Sequence, residues 1–227
     1  MHKPYLIVIT GRPGAGKTTL AEKISRAWYF PMISRDRVKE GYVHTVGMRH
    51  DQLPDDANLN ATKIFFDTLE FLLERNISVV AEAAFHHPVW EHFLAPLADK
   101  AQIVIIVCRV DGETALERFL SRGLSEEKRE YFHGDKGVQM LKAGERPVVG
   151  SYNEPRLPYR TFCVDTTDGY KPTTEELYQA VFEQGEFLQT SQAQKDSTAP
   201  KFALRPDGSL YYIGRESKED QNGNSQI

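Results

Sequence analysis

Four residues near the start of the chain carry the clearest chemistry. Gly11, Gly16, Lys17 and Thr18 stand at the spacing G-x-x-x-x-G-K-[ST] within GRPGAGKTT, the pattern of a loop that wraps a phosphate chain. Gly11, Gly14 and Gly16 permit backbone angles and close approach that a Cβ forbids, so the peptide groups of Gly11, Arg12, Pro13, Gly14, Ala15 and Gly16 can fold around phosphate oxygens. A helix opening at Lys17, with Thr18 and Thr19 in its first turn, adds its positive N-terminal dipole. Lys17 is placed to bridge the β- and γ-phosphates of ATP, and the Thr18 hydroxyl to bind Mg²⁺.

A second group follows the next apolar run. ISRDRVKEG puts Ser34, Arg35, Asp36 and Arg37 where the carboxyl edge of a sheet would present them to a ligand. Asp36 is the candidate general base for an incoming hydroxyl. The same side chain could instead cap a helix beginning at Arg37. Further on, ETALERFLSRG sets Arg118 and Arg122 four residues apart, on one face of a helix. There they could close over the nucleotide and stabilise transition-state charge, or form a surface face pairing with Glu113 or Glu126. Gly123 is the expected helix stop. VVAEAAFHHP contributes Glu82, suited to holding a magnesium-bound water or orienting the acceptor, while Ala83, Ala84 and Phe85 read as an apolar surface beside it. His86 and His87 are adjacent, poor geometry for chelating one metal. Residues 44–58 read as an acceptor flap or a mobile loop.

These groups need a scaffold. Tyr5 to Thr10 is a continuous apolar and β-branched run, as is a strand buried on both faces of a parallel sheet, and similar runs span 30–34, 77–81, 102–108 and 160–164. Between them lie segments with helical spacing. In the clearest, residues 61–75, the side chains Ile64, Phe65, Thr68, Leu69, Leu72 and Leu73 form an apolar stripe. Strands alternating with helices predict a doubly wound, parallel five-stranded α/β sheet with helices on both faces. A last helix is expected from Thr173 or Thr174, with Glu176 nearby, to about Leu188. Residues 1–189 then form one domain. Residues 190–227 read as a mostly disordered polar tail, with a hairpin around Pro206-Asp207-Gly208 that needs a supporting surface.

The chain has 227 residues, of which 40% are hydrophobic, and a net charge of −4. That is enough apolar material for a core, with no general drive toward nucleic acid or anionic membrane. Cys108 and Cys163 sit inside apolar runs and read as buried thiols. No run reaches membrane-spanning length, so a cytoplasmic protein is expected. A phosphate loop alone leaves kinase, GTPase and mechanical ATPase open. The sequence contains neither an N-K-x-D guanine-reading element nor an LSGGQ-type signature, which favours a small kinase.

The phosphate loop, the Arg35-Asp36 pair and the R-x-x-x-R-G run at Arg118 to Gly123 together resemble the small P-loop kinase family (the AAA_33-like predicted kinases) that includes bacteriophage polynucleotide kinase. Chloramphenicol phosphotransferase and zeta toxins are more distant relatives. The resemblance covers about residues 4–189 and implies a phosphotransferase using ATP and Mg²⁺ with an alcohol acceptor. It implies Asp36 as base, Arg37 or Arg35 on the acceptor side, and Arg118 and Arg122 in a lid. It also makes Asp165, Thr166, Thr167 and Asp168 candidates for the adenine pocket. The segment after the third strand departs from the polynucleotide kinase pattern. A smaller acceptor with an apolar face is therefore expected over a nucleic-acid 5′ end, with a zeta toxin-like or antibiotic kinase, or a nucleotide-gated module recruiting a protein, as alternatives.

Overall fold

The computed structural model describes residues 2–126, 128–183, 201–204 and 210–214. Strand β1 (Tyr5–Thr10) leads into α1 (Lys17–Trp28), β2 (Met32–Ser34), α2 (Arg35–Val46), α3 (Ala57–Glu74), β3 (Val79–Glu82) and α4 (His87–Leu94). There follow β4 (Gln102–Arg109), α5 (Gly112–Ser125), α6 (Arg129–His133), α7 (Lys136–Lys142), β5 (Arg160–Asp165) and α8 (Thr174–Tyr178). The first five strands are all parallel, in the order β2-β3-β1-β4-β5. Beyond β5 the sheet continues through β7 (Leu210–Gly214), parallel to β5 with Phe162 opposite Leu210, and then β6 (Lys201–Leu204), antiparallel to β7. These two strands flank the turn expected around Pro206 to Gly208, which itself lies outside the described residues. The expected disorder of the remaining tail lies outside the described residues.

Alternation along β1 explains the three layers. Leu6 and Val8 face one side, where they pack with Phe65, Leu69 and Leu73 of α3 and Trp90 and Leu94 of α4. Ile7 and Ile9 face the other, against Leu20, Ile24 and Trp28 of α1 and Leu177 of α8. All four β1 residues are fully buried, which stabilises the fold by roughly 1.5–3 kcal/mol per side chain. Both cysteines are buried, and burial pushes the Cys108 thiol up to about 12.

Element edges differ from the sequence reading in instructive ways. Ile77 is exposed and follows Asn76, whose φ of 58° turns the chain, so β3 starts only at Val79. The α3 stripe is rotated: Ala61, Thr62, Phe65, Phe66, Leu69 and Leu73 are buried, while Ile64 faces solvent. Helix α2 begins at Arg35, with Ser34 at the cap position, so Asp36 lies in the first turn and is not the cap. Helix α5 passes through Gly123, where a Cβ would lie 2.4 Å from Val138 Cγ2. Gly123 admits α7 and does not stop α5. Helix α8 is closed by a capping box between Thr173 and Glu176, as its sequence predicts, and continues as a wider turn over 179–183; the rest of the expected helix lies outside the described residues.

Candidate active site

Tight packing of backbone on backbone shapes the phosphate loop. Gly11, Gly14 and Gly16 have φ of 144°, 81° and 75°. A Cβ on Gly14 would meet the Ala115 carbonyl oxygen at 1.9 Å, and one on Gly11 the Cys108 carbonyl oxygen at 2.5 Å. The loop therefore rests directly on α5 and the end of β4. Gly16 supplies no side chain to cap α1, which leaves the first-turn amides of that helix free for an anion. The Arg12 carbonyl accepts the Ala15 amide at 3.1 Å and Lys17 Nζ at 3.0 Å.

Two buried charges meet beneath the loop. Lys17 and Glu82 are only 7% and 5% exposed. Burial pulls the Lys17 ammonium below its ordinary value against the attraction of Glu82, and burial pushes the Glu82 carboxyl up against the attraction of Lys17 and hydrogen bonds from Ser34 and Thr18. Ser34 Oγ donates to Glu82 Oε2 at 2.7 Å, which is why the Ser34 hydroxyl does not cap α2. The register of β1 and β3 sets Ile9 opposite Glu82, so sheet pairing itself delivers this carboxylate to the foot of the loop.

An open cleft of about 650 Å³ runs from the first turn of α1 between α2 and the α5–α6 arm. It brings together Thr18 and Thr19, Asp36 and Arg37, and Arg122. Asp36 pairs with Arg35 at 3.5 Å, and Arg35 Nη2 reaches Asn58 at the start of α3. Arg37 is spent on Glu22 of α1 at 2.6 Å. The two expected lid arginines part company. The Arg122 Nε is buried with no hydrogen-bond partner among the described residues, whereas Arg118 donates to the carbonyls of Thr166 and Thr167 at 3.0 and 2.8 Å. Arg118 therefore fastens the loop after β5. In that loop hydrogen bonding from the Thr167 side chain, and then from its amide, lowers the Asp165 carboxyl pKa, and Thr166 Oγ1 donates to Ala15 O at 3.0 Å. Neither Asp165 nor Thr167 lines the cleft.

Along the apolar segment after β3, Ala83 is buried, Ala84 is exposed, and Phe85 is half-buried against the core, stacked on Phe66 and edge-on to Trp90. His86 and His87 each accept a backbone amide at Nδ1, from Asn153 at 3.0 Å and from Arg156 at 3.1 Å, so both rings carry their proton on Nε2. The 44–58 segment meets α6, where the His50 amide donates to the Tyr131 carbonyl at 2.9 Å. Sequence reasoning missed Tyr170, whose hydroxyl lies 3.9 Å from where a Cβ on Gly16 would stand, and Tyr152, which reaches the end of β1. Among the described residues, no cluster of three or more His, Cys, Asp or Glu could hold a metal, and no helix is long and apolar enough to cross a membrane.

A candidate kinase from Chloroflexus aurantiacus superposes with a TM-score of 0.65 at 22% identity, over 82% of this chain and 98% of that one. The APS kinase CysC of Mycobacterium tuberculosis, solved with AMPPNP and APS, gives a TM-score of 0.53 at 14% identity, over 82% and 99%. At these identities the likeness is one of fold. No match is found among curated proteins. The family model described as an AAA domain matches residues 6–147. With more than half of its length under that model, the chain belongs to the AAA_33 family, among the small P-loop kinases.

Proposed function

We propose that this protein is an ATP-dependent phosphotransferase that moves the γ-phosphoryl group to a hydroxyl of a small, uncharged, polyhydroxylated acceptor. One observation carries the reading: a single cleft is lined by Asp36, the first turn of α1 and Arg122, whose Nε has no hydrogen-bond partner among the described residues. The loop amides and Lys17 hold the phosphates, Asp36 takes the proton of the attacking hydroxyl, and Arg122 faces the charge that develops on the transferring group. Mg²⁺, which would neutralise phosphate charge when bound, has a fitting seat in the Thr18 hydroxyl with the Glu82 carboxylate behind it.

The acceptor class follows from what the cleft offers. Ala83 is buried, Phe85 is half-buried against the core, and neither lines the cleft, whose walls carry mainly polar side chains with one phenyl ring, Phe132. Arg37 and Arg129 face the cleft but are paired with Glu22 and Asp135, each at 2.6 Å. Lys39 is buried and does not line it. Little positive charge is left over for a phosphate-bearing acceptor such as a polynucleotide, whereas Asp36, Glu40 and Glu126 can accept hydroxyl protons.

The test is ADP release against neutral sugars and polyols, sugar acids, aromatic antibiotics and 5′-hydroxyl oligonucleotides. Transfer to a neutral polyol is expected, with Asp36→Asn slowing it by about two to four orders of magnitude at unchanged AMPPNP affinity. Full activity in Asp36→Asn removes Asp36 from the mechanism. Transfer confined to oligonucleotides or aromatic antibiotics overturns the acceptor class.

A further inference from the structure

Helix α2 carries one glycine in its interior that neither backbone nor packing explains. Gly41 has ordinary helical conformation, and nothing lies within 4 Å of where its Cβ would stand. Glycine is, after proline, the least favourable residue inside a helix, so alanine here would stabilise α2 without crowding the free protein. Gly41 also lines the cleft, together with Asp36, Arg37 and Glu40 of the same helix. The missing side chain is therefore space that belongs to the cleft.

The residue beside Gly41 fixes how wide that space is. Glu40 Oε1 accepts the His133 Nε2 proton at 2.7 Å, and the His133 side chain is only 8% exposed. This bond ties α2 to α6 next to Gly41 on one helix and next to Phe132 on the other. On the other flank of Phe132, the Tyr131 carbonyl accepts the His50 amide at 2.9 Å. Both Gly41 and Phe132 line the cleft, so one wall is bare helix and the other carries a phenyl ring, at a separation set by the Glu40–His133 bridge. Asp36 and Glu40 stand one turn apart, about 6 Å along the helix axis. Among the described residues Glu40 bonds only His133, which leaves Oε2 to accept a hydroxyl.

We infer that Gly41 and Phe132 form a slot for a ring, and that the acceptor is a cyclic polyol, a sugar ring or cyclitol, in preference to an open chain. A closed ring has apolar C–H faces and carries its hydroxyls on the rim. One face lies over the bare helix at Gly41 and the other against Phe132, while rim hydroxyls reach Asp36 and Glu40 together. The hydroxyl at Asp36 gives its proton to that carboxylate as its oxygen bonds the γ-phosphorus and ADP departs. An open-chain polyol must freeze several rotatable bonds to present its hydroxyls at the same spacing. The inference rests on the phosphotransferase reading above and narrows its acceptor.

The test supplies the full chain and Mg·ATP with three ring acceptors, methyl glucoside, methyl galactoside and myo-inositol, and two open chains, sorbitol and galactitol. The unaltered protein should use at least one ring with a KM about tenfold below that of either chain. Gly41→Ala should raise the unfolding temperature by about 2–4 °C, yet raise the ring KM about fivefold with Mg·AMPPNP affinity unchanged. Gly41→Leu, another good helix former, should raise the ring KM at least about fiftyfold. Tighter folding with poorer acceptor use is a pairing that damage to the fold cannot produce. A lower unfolding temperature in Gly41→Ala would mean that the free protein itself needs the glycine, and a matching loss of Mg·AMPPNP affinity would place the effect on the nucleotide; either overturns the slot. Equal use of sorbitol or galactitol overturns the preference for rings. Transfer to none of these acceptors overturns the neutral-polyol reading and the slot with it, whereas transfer to a ring that is blind to both substitutions overturns the slot alone.

Discussion

Replacing Gly14 with alanine strikes the contact on which the phosphate loop rests. The added methyl would sit 1.9 Å from the Ala115 carbonyl oxygen and 2.8 Å from its carbon, at a φ of 81°. An ordinary carbon–oxygen contact is about 3.3 Å, so loop and helix must separate by roughly 1.4 Å. Left-handed backbone costs alanine about 1–2 kcal/mol, and forced separation of packed groups adds about 1–3 kcal/mol. A total of about 3 kcal/mol corresponds to a fall of about 6–12 °C in Tm for a chain of this size. The displaced element is α5, which carries Arg118 and Arg122, so Mg·AMPPNP affinity should fall at least about tenfold, equivalent to ~1.4 kcal/mol. Gly144 supplies the control, because its φ is 80° but nothing lies within 4 Å of a Cβ there. Gly144→Ala should therefore show the conformational cost alone, about 1–2 kcal/mol, with unchanged affinity. Thermal unfolding and calorimetric titration of the two variants decide the matter. Equal losses in both would show that the Gly14–Ala115 contact does not set the loop.

Lys17→Ala should abolish ATP turnover and weaken nucleotide binding while Tm, followed by circular dichroism, moves by only a few degrees, since Glu82 can take up a proton once its partner is gone. Because burial lowers the Lys17 pKa in the folded protein, its ammonium is lost before that of a free lysine as pH rises. AMPPNP affinity should accordingly decline at a pH below 10.5, although this group's contribution to stability grows as pH climbs through the same window toward the unfolded value. Glu82→Gln removes the leading charge that holds the Lys17 proton, so titrations across pH should find the decline displaced to lower pH; an unmoved profile breaks the coupling. Arg118→Ala should cost about 1–2 kcal/mol of stability through the two released carbonyls, with a smaller rate effect than Arg122→Ala, expected to slow transfer about 100-fold. Equal rate losses in these two variants would restore Arg118 to the reacting group.

The legible parts of this protein were those whose physics is local or periodic. The run from Tyr5 to Thr10 and the glycines after it announce a buried strand feeding a phosphate loop, because each residue's own conformational preference demands it. Phe85 shows the limit for an apolar residue beside a sheet edge, which looks the same in sequence whether it faces solvent or core; in the fold it is half-buried against Phe65 and Phe66 of α3. Arg118 and Arg122 share spacing and helix face, but the loop 48 residues from Arg118 claims one and leaves the other. Ser34 illustrates the same limit: a good capping residue by type, it gives its hydroxyl to Glu82 across the sheet. Tyr152 lies in a segment with no period at all, so nothing short of the folded arrangement could place its hydroxyl.

The clasp between His86, His87 and residues 153–156 has a consequence for how the chain can diverge. Both imidazoles read main-chain amides, and the return bond, from the His87 amide to the Asn153 carbonyl, also uses main-chain atoms. Residues 153 and 156 therefore contribute no side-chain identity to the clasp, and a saturation library at these two positions should accept nearly every residue except proline, which has no amide to give. Residues 86 and 87 face the opposite constraint, because few other side chains offer a neutral acceptor at the distance of Nδ1. Two neighbouring stretches joined by the same bonds should thus drift at very different speeds, the histidines held and their partners free.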